Sequence, residues 1–274
     1  MKCFIAFFLF FSSTCTIAQT AAGPWKDPSA IIIPDPYEGN KFDFDLALSD
    51  PKIRGVILRG AQGLTIDNKL RERADQARRR GIRFGIYTLG LSSKPYTDSK
   101  GRPRPGIDPI AQADLLVALG KETGATLLAL DIEGLSTNFM SLEDAARFIE
   151  HVRNLTGRYP LFYSNGDVAG GVAKRYDSSS IFAKAPLWIA APSGAFSGNR
   201  VWPRYALWQF GAEWDCPRPI RARKDRFTAC KPYRRYPVAG SDFDLDVNLL
   251  NGGDDAFDAL FGPAQTQPGP QVRR

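Results

Sequence analysis

The sequence predicts an α/β chain built as an incomplete (β/α) barrel, with about eight strands and fewer helices than strands. Three observations carry this expectation. Short apolar runs alternate with helical patterns along the chain, as βα units do. The length, 274 residues, suits one such barrel. Beyond residue 165 the connections become too short, or too rich in proline, for full helices.

The first strand is AIII (30–33) and the second IRGVILRG (53–60). Residues 67–81, DNKLRERADQARRRG, form a helix opening at Asp67 and ending at Gly81, with Leu70, Ala74 and Ala77 on its apolar face. Arg78, Arg79 and Arg80 fall in its last turn, where the helix dipole favours cations. IRFGIYTL (82–89) is the third strand. A Gly-, Pro- and Ser-rich loop follows over 90–108, and a loop of this length in a compact domain is functional or mobile. Residues 109–124 form a helix with Asp108 as cap and Pro109 at its first position. ATLLALDIEG (125–134) is the fourth strand. The next helix (141–157) opens with a capping box from Ser141 to Asp144 and stops on glycine. The remaining strands are 159–165, 185–192, 205–211 and DFDLDVNLL (242–250), and DDAFDALFG (254–262) is a short closing helix.

The ends differ from this body. Residues 1–18 have the layout of a secretory signal peptide: a lysine, an apolar run from Cys3 to Phe11, then small residues up to Ala18. Residues 19–262 form the barrel domain, and the Pro/Gln-rich tail 263–274 is expected to be disordered. Export sets the location as secreted or periplasmic. No internal stretch is apolar enough for a transmembrane segment. Two of the four cysteines lie in the leader, and the remaining pair, Cys216 and Cys230, is most simply one disulfide in an oxidising compartment. Two thiols and the single His151 do not make a zinc site, and no cofactor or metal is expected. His151 is expected to be exposed and inert, and its solitude disfavours a serine triad.

The formal net charge is +7. Eight basic residues and one acidic residue lie between Cys216 and Pro237, so with Lys2 in the leader the rest of the mature chain is close to neutral. A basic loop of this kind suits an anionic partner. For an exported protein that means a cell-wall polymer, such as peptidoglycan or a related anionic glycan, or a membrane surface rather than nucleic acid; a plain solvated loop is the alternative. A monomer is expected.

The chemistry centres on LLALDIEGLS (127–136). A carboxylate is costly to bury without partners, yet Asp131 and Glu133 end an apolar strand. In α/β barrels, catalytic groups sit at the C-terminal strand ends. Residues i and i+2 share a strand face, about 6.5–7 Å apart, a separation suited to glycoside hydrolysis by paired carboxylates. Mutual repulsion raises one pKa and keeps one acid protonated. Glu133, with the longer reach, is the expected acid. A structural ion-pair role is the competing reading, and Trp188 and Trp208 divide evenly between core and sugar-stacking roles. Asp242, Asp244 and Asp246 alternate on one strand; the expectation is Asp246 lining the groove beside two solvated neighbours, with a cation site as the alternative.

The segments GVILRGAQGLTIDNKLRERADQARRRGIRFGIYTLG, LLALDIEG, AARFIEHVRNLTGRYPLFYSN, PLWIA, LWQFG and VAGSDFDLDVNLL occur in an order that resembles glycoside hydrolase family 25 over roughly residues 30–262. The resemblance implies a secreted N-acetylmuramidase, or lysozyme, that cleaves the β-1,4 bond between N-acetylmuramic acid and N-acetylglucosamine in cell-wall degradation or remodelling. It implies Glu133 as acid, with Asp131 assisting the substrate's acetamido group. It implies substrate contacts from Asp246, Tyr87, Tyr163, Trp188 and Gln209. One departure stands out. Where the family's first strand carries an aspartate, aligning Tyr37 and Gly39 puts Ile33; Asp35 follows on the same face, and either it substitutes or the centre lacks one carboxylate. Two other readings stay open: a chitinase-like glycosidase, disfavoured by Ala129 where such barrels have a further aspartate, and a non-catalytic glycan-binding protein on the same barrel.

Overall fold

A computed structural model describes residues 23–98 and 100–262; the expected leader (1–18) and the tail (263–274) lie outside the described residues. Along the chain run β1 (Ile32–Pro34), α1 (Phe44–Ala47), β2 (Gly55–Gln62), β3 (Thr65–Ile66), α2 (Leu70–Arg79), β4 (Arg83–Leu89), β5 (Tyr96–Thr97), β6 (Pro103–Arg104), α3 (Pro109–Thr123), β7 (Leu127–Ile132), α4 (Leu142–Thr156), β8 (Leu161–Asn165) and α5 (Gly166–Arg175). Then follow α6 (Ile181–Lys184), β9 (Leu187–Ala190), β10 (Leu207–Gly211), α7 (Arg218–Arg221), α8 (Arg226–Ala229), β11 (Val247–Leu250) and α9 (Asp254–Phe261).

One nine-stranded sheet has the order β1-β11-β10-β9-β8-β7-β4-β2-β3. From β2 through β4, β7, β8 and β9 to β10 the pairing is parallel, whereas β11 runs antiparallel to both β10 and β1. The sheet curls until β1 meets β2 through an Ile32–Ile53 bridge, where the Ile32 N–H donates to the Lys52 carbonyl at 2.8 Å. This is the incomplete barrel that the sequence predicts. Strands buried on both faces read as continuous apolar runs in the sequence. One face fills the barrel interior with Ile31, Ile57, Leu127, Ala129 and Leu161. The other packs Leu58, Ile86, Leu130, Phe162 and Ile189 against the helices.

Four local details depart from expectation. The helix expected from Asp67 begins at Leu70 instead. Asp67 is turned inward, accepts the N–H groups of Glu38 (2.8 Å) and Lys69 (2.8 Å), and pairs with Arg59 at 3.0 Å. The ten-residue α5 was not expected, because Gly166, Gly170 and Gly171 lower helix propensity; Asn165 caps it by accepting from the Val168 N–H. The last strand starts at Val247 rather than 242, because Asp242 and Asp244 bind Lys41 and Asn40 in a preceding turn. His151 is half-buried rather than exposed, and its Nε2 lies 2.7 Å from Asp114 Oδ1, linking α4 to α3.

After β10 the chain leaves the barrel in a basic excursion carrying α7 and α8. Cys216 and Cys230 are disulfide-bonded with their Cα atoms 5.3 Å apart, packed on Phe243 and Ile220. The bridge closes a short loop and contributes roughly 3 kcal/mol in the chain-entropy model. Non-reducing peptide mapping is expected to recover the two cysteines in one linked fragment. The double variant C216S/C230S should lose stability of about that size in chemical denaturation, with little change in secondary structure.

Candidate active site

The barrel mouth is built by strand alternation, since successive side chains point to opposite faces. On β7, Ala129 faces the interior while Leu130 and Ile132 face the helices, so Asp131 and Glu133 turn toward the mouth. The same rule brings in Arg59 from β2, Tyr87 from β4, Tyr163 from β8, Trp188 from β9, Gln209 from β10 and Asn248 from β11. Asp246 precedes β11. Because β11 is antiparallel, its N-terminal end lies at the rim formed by the C-terminal ends of the parallel strands.

Asp131 is only 5% exposed, and its Oδ1 is buried without a hydrogen-bond partner among the described residues. Glu133 is exposed at the rim. Its main-chain carbonyl accepts from Asn165 Nδ2 at 2.7 Å, which fixes the turn after the strand. Asp35 lies opposite on the chain after β1; its N–H donates to the Asp246 carbonyl at 3.1 Å. Asn248 connects these parts. Its amide donates to Asp35 Oδ1 at 2.6 Å and to the Ile33 carbonyl at 2.8 Å, while its own oxygen accepts from Trp188 Nε1 at 2.6 Å. Ile33 is fully buried inside the barrel beneath Asp35. A second relay runs from Tyr163 Oη, which donates to Gln209 Oε1 at 2.8 Å, and on from Gln209 to Asp246.

The electrostatics follow from burial. Loss of water, then the charges of Glu133, Asp35 and Asp246, push the Asp131 carboxyl well above its ordinary range. Burial and neighbouring carboxylates do the same to Asp35 and Asp246, partly opposed by hydrogen bonds from Asn248 and Gln209 respectively. Glu133 is exposed as a residue, yet partial desolvation raises its carboxyl above the ordinary range, with Arg59 opposing. Arg59 also pairs with Glu38 at 2.7 Å and lies 4.9 Å from the centre of the Tyr37 ring. Burial raises the phenols of Tyr87 and Tyr163 well above their usual range, which keeps both as hydrogen-bond donors.

All eight residues expected at the site surround this one mouth: Asp35, Tyr87, Asp131, Glu133, Tyr163, Trp188, Gln209 and Asp246. They divide by depth. Trp188 and Gln209 are 1% exposed, so they form the floor and orient what lies above them. Trp208 points the other way, into the outer layer, where its Nε1 donates to the Ala191 carbonyl at 2.9 Å. Among the described residues no His, Cys, Asp and Glu cluster is arranged to hold a metal ion. Sequence reasoning missed Arg59 and Asn248. The signals were an arginine two residues after inward Ile57, and an asparagine two residues after Asp246.

A carboxyl whose pKa is raised on folding takes up a proton as the chain folds. It therefore destabilises the fold as pH rises from the unfolded value near 4 toward the raised folded value. Asp131→Asn is expected to raise the melting temperature at pH 7 by a few degrees, about 2–4 °C for each kcal/mol in a domain of this size. The gain should shrink toward pH 4, which a melting series across pH will read directly.

The fold has solved counterparts. The lysozyme of Streptomyces coelicolor matches with a TM-score of 0.63 at 17% identity, covering 86% of this chain and 99% of that one. The spore cortex lytic enzyme SleM of Clostridium perfringens matches with a TM-score of 0.61 at 22% identity, covering 86% and 71%. The autolysin LytC of Streptococcus pneumoniae, in complex with a synthetic peptidoglycan ligand, matches with a TM-score of 0.56 at 16% identity, covering 81% and 47%. No curated protein matches the chain. The family model for glycosyl hydrolases family 25 matches residues 37–217, a span that holds Tyr87, Asp131, Glu133, Tyr163, Trp188 and Gln209 and leaves Asp35 and Asp246 outside. The chain belongs to glycosyl hydrolases family 25 and is a glycoside hydrolase.

Proposed function

We infer that the protein is a secreted peptidoglycan hydrolase that cleaves the β-1,4 bond between N-acetylmuramic acid and N-acetylglucosamine. The carrying observation is the pair at the end of β7: an exposed Glu133 beside a buried Asp131 whose Oδ1 has no hydrogen-bond partner among the described residues. Glu133, its pKa raised by desolvation, protonates the leaving oxygen. Asp131 accepts from the acetamido N–H of the sugar and orients the acetamido oxygen to bond to the anomeric carbon as the glycosidic bond breaks, after which water releases the sugar. That hydrogen bond would satisfy the free Oδ1. Asp35 supplies the carboxylate that Ile33 lacks, held at 2.6 Å by Asn248, and Asp246 closes the cluster. Export through a leader at 1–18 is part of the same reading and rests on sequence alone.

The basic excursion fits an anionic wall. Arg221 and Arg223 are already paired, with Glu213 and Asp225, whereas Arg218, Lys224, Arg226 and Lys231 have no ion pair among the described residues. These four are the cations free to meet a polymer.

Glu133→Gln is expected to fold normally and lose about 10²–10⁴-fold in rate, measured by muropeptide mass spectrometry of a peptidoglycan digest. Wild-type turnover in the variant would remove Glu133 from the acid role. Absence of any cleavage by the wild type would favour a glycan-binding protein on the same barrel, and cleavage of chitin oligomers alone would favour the chitinase-like reading. Neutralising Arg218, Lys224, Arg226 and Lys231 together should weaken pull-down on insoluble wall at low salt. The difference should vanish toward 1 M salt, where the Debye length falls to about 3 Å.

A further inference from the structure

The long loop after β4 does not take part in the chemistry described above, yet its described residues gather around a charged centre beside the acid. Its strands β5 and β6 pair Tyr96 with Arg104 and Thr97 with Pro103. Its base is clamped by buried Gln112, whose amide donates to the Leu91 (2.9 Å) and Ile107 (3.1 Å) carbonyls and whose oxygen accepts from the Leu91 N–H (2.9 Å). At the tip, Asp98 accepts the N–H groups of Lys100 (2.9 Å) and Arg102 (3.0 Å) and binds the Nε atoms of Arg102 (2.9 Å) and Arg104 (3.0 Å). Those bonds hold the Asp98 carboxyl far below its usual range, so it stays ionised and both guanidinium planes stay fixed.

Between this hairpin and the barrel rim lies a cleft of about 650 Å³ that opens at Glu133. That volume falls in the range of small-ligand sites, roughly 300–1,000 Å³. Its floor is apolar, with Leu89, Leu91, Ile107 and Phe139, and its polar wall carries Gln62, Thr65 and Asn138. Its outer rim carries Lys100, Arg102 and Arg104 against the single charge of Asp98. The arginine side chains remain about half exposed, 55% and 44%. Asp98 engages Nε of Arg104, and the terminal nitrogens of that guanidinium have no partner among the described residues. The cations do not act on the acid itself, since Arg59 alone opposes the rise at Glu133. They are placed to bind, not to tune.

We propose that this cleft is a subsite for the acidic peptide stem carried by the N-acetylmuramic acid at the cleaved bond, with Lys100, Arg102 and Arg104 binding its carboxylates. The inference rests on the peptidoglycan reading for the identity of the sugar. A substituent on a sugar held beneath Glu133 has this cleft as a neighbour. Small apolar side chains of a stem suit the floor, its amides suit Gln62 and Asn138, and its carboxylates suit the arginines, which present planar donor pairs to such groups.

The test is a binding comparison by calorimetry on the intact protein. Two ligands are used: a disaccharide of N-acetylglucosamine and N-acetylmuramic acid, and the same disaccharide with a tripeptide stem. The wild type should bind the stem-bearing form about tenfold tighter, the effect of one charge-assisted hydrogen bond. In R102Q/R104Q the ratio should fall to near one. K100Q leaves the Asp98 network of the arginines intact and should lower the ratio in part, so it decides the matter if the double variant fails to fold. Equal binding of both ligands by the wild type overturns the proposal, as does a wild-type ratio in folded R102Q/R104Q, or in K100Q should the double variant not fold. Cleavage of peptidoglycan is scored separately. Its absence would sink the proposed activity, while the affinity ratio would still decide whether the cleft reads the stem.

Discussion

Asp35, Asp131 and Asp246 give up most of their water in one barrel mouth, with Glu133 above them and Arg59 as the nearby cation. Desolvation of that kind is expensive for the charged form, and the surroundings are arranged to limit it. Asn248 donates to Asp35 while being held from below by the Trp188 indole. Gln209 donates to Asp246 while accepting from Tyr163. Each relay starts on a buried aromatic donor and ends on a carboxyl. The aromatic layer therefore does two things: it fills the barrel and it aims the polar groups above it. Among the described residues Asp131 Oδ1 is fully buried with no hydrogen-bond partner, and that is the oxygen the proposed chemistry requires.

The reversal of β11 is what completes the cluster. Had the last strand run parallel to β10, the residues before it would lie at the opposite end of the barrel. Running antiparallel, it brings Asp246 to the rim and Asn248 one layer below. The same strand pairs with β1, so Asp35 and Asp246 meet directly through the main chain at 3.1 Å. Around the barrel, β4 and β10 lie four strands apart in either direction. Their two basic outgrowths, the β5–β6 hairpin and the disulfide-closed excursion, thus stand on opposite sides of the mouth. An anionic polymer lying across the carboxylates would pass between them.

At the first strand the acidic side chain sits two residues beyond the position of the family pattern. Ile33 occupies the position where the family pattern carries an aspartate, and it is wholly absorbed into the barrel interior. Asp35, two residues on, shares its face. Proline at positions 34 and 36 flanks it and restricts the backbone, and the Asp35 N–H is spent on Asp246. In the proposed reading Asp35 stands in for that carboxylate, displaced along the strand toward the rim.

The sequence by itself determined the eight barrel strands, the helices over 109–124 and 141–157, the cysteine pair and the D-x-E pair, because each is a local pattern. Double-faced burial produces apolar runs, capping residues mark helix ends, and two-residue spacing puts both acids on one side. Tertiary structure decided the rest, because it depends on partners far along the chain. Asp67 looks like a helix cap until Arg59 claims it. Trp188 and Trp208 look alike until alternation sends one into the barrel and the other out. Asn248 is an ordinary strand residue until the antiparallel turn of β11 sets it between Trp188 and Asp35. The pKa shifts of the carboxyls belong here in large part: the Asp131–Glu133 repulsion is local, but desolvation and the charges of Asp35 and Asp246 come from segments far apart in sequence.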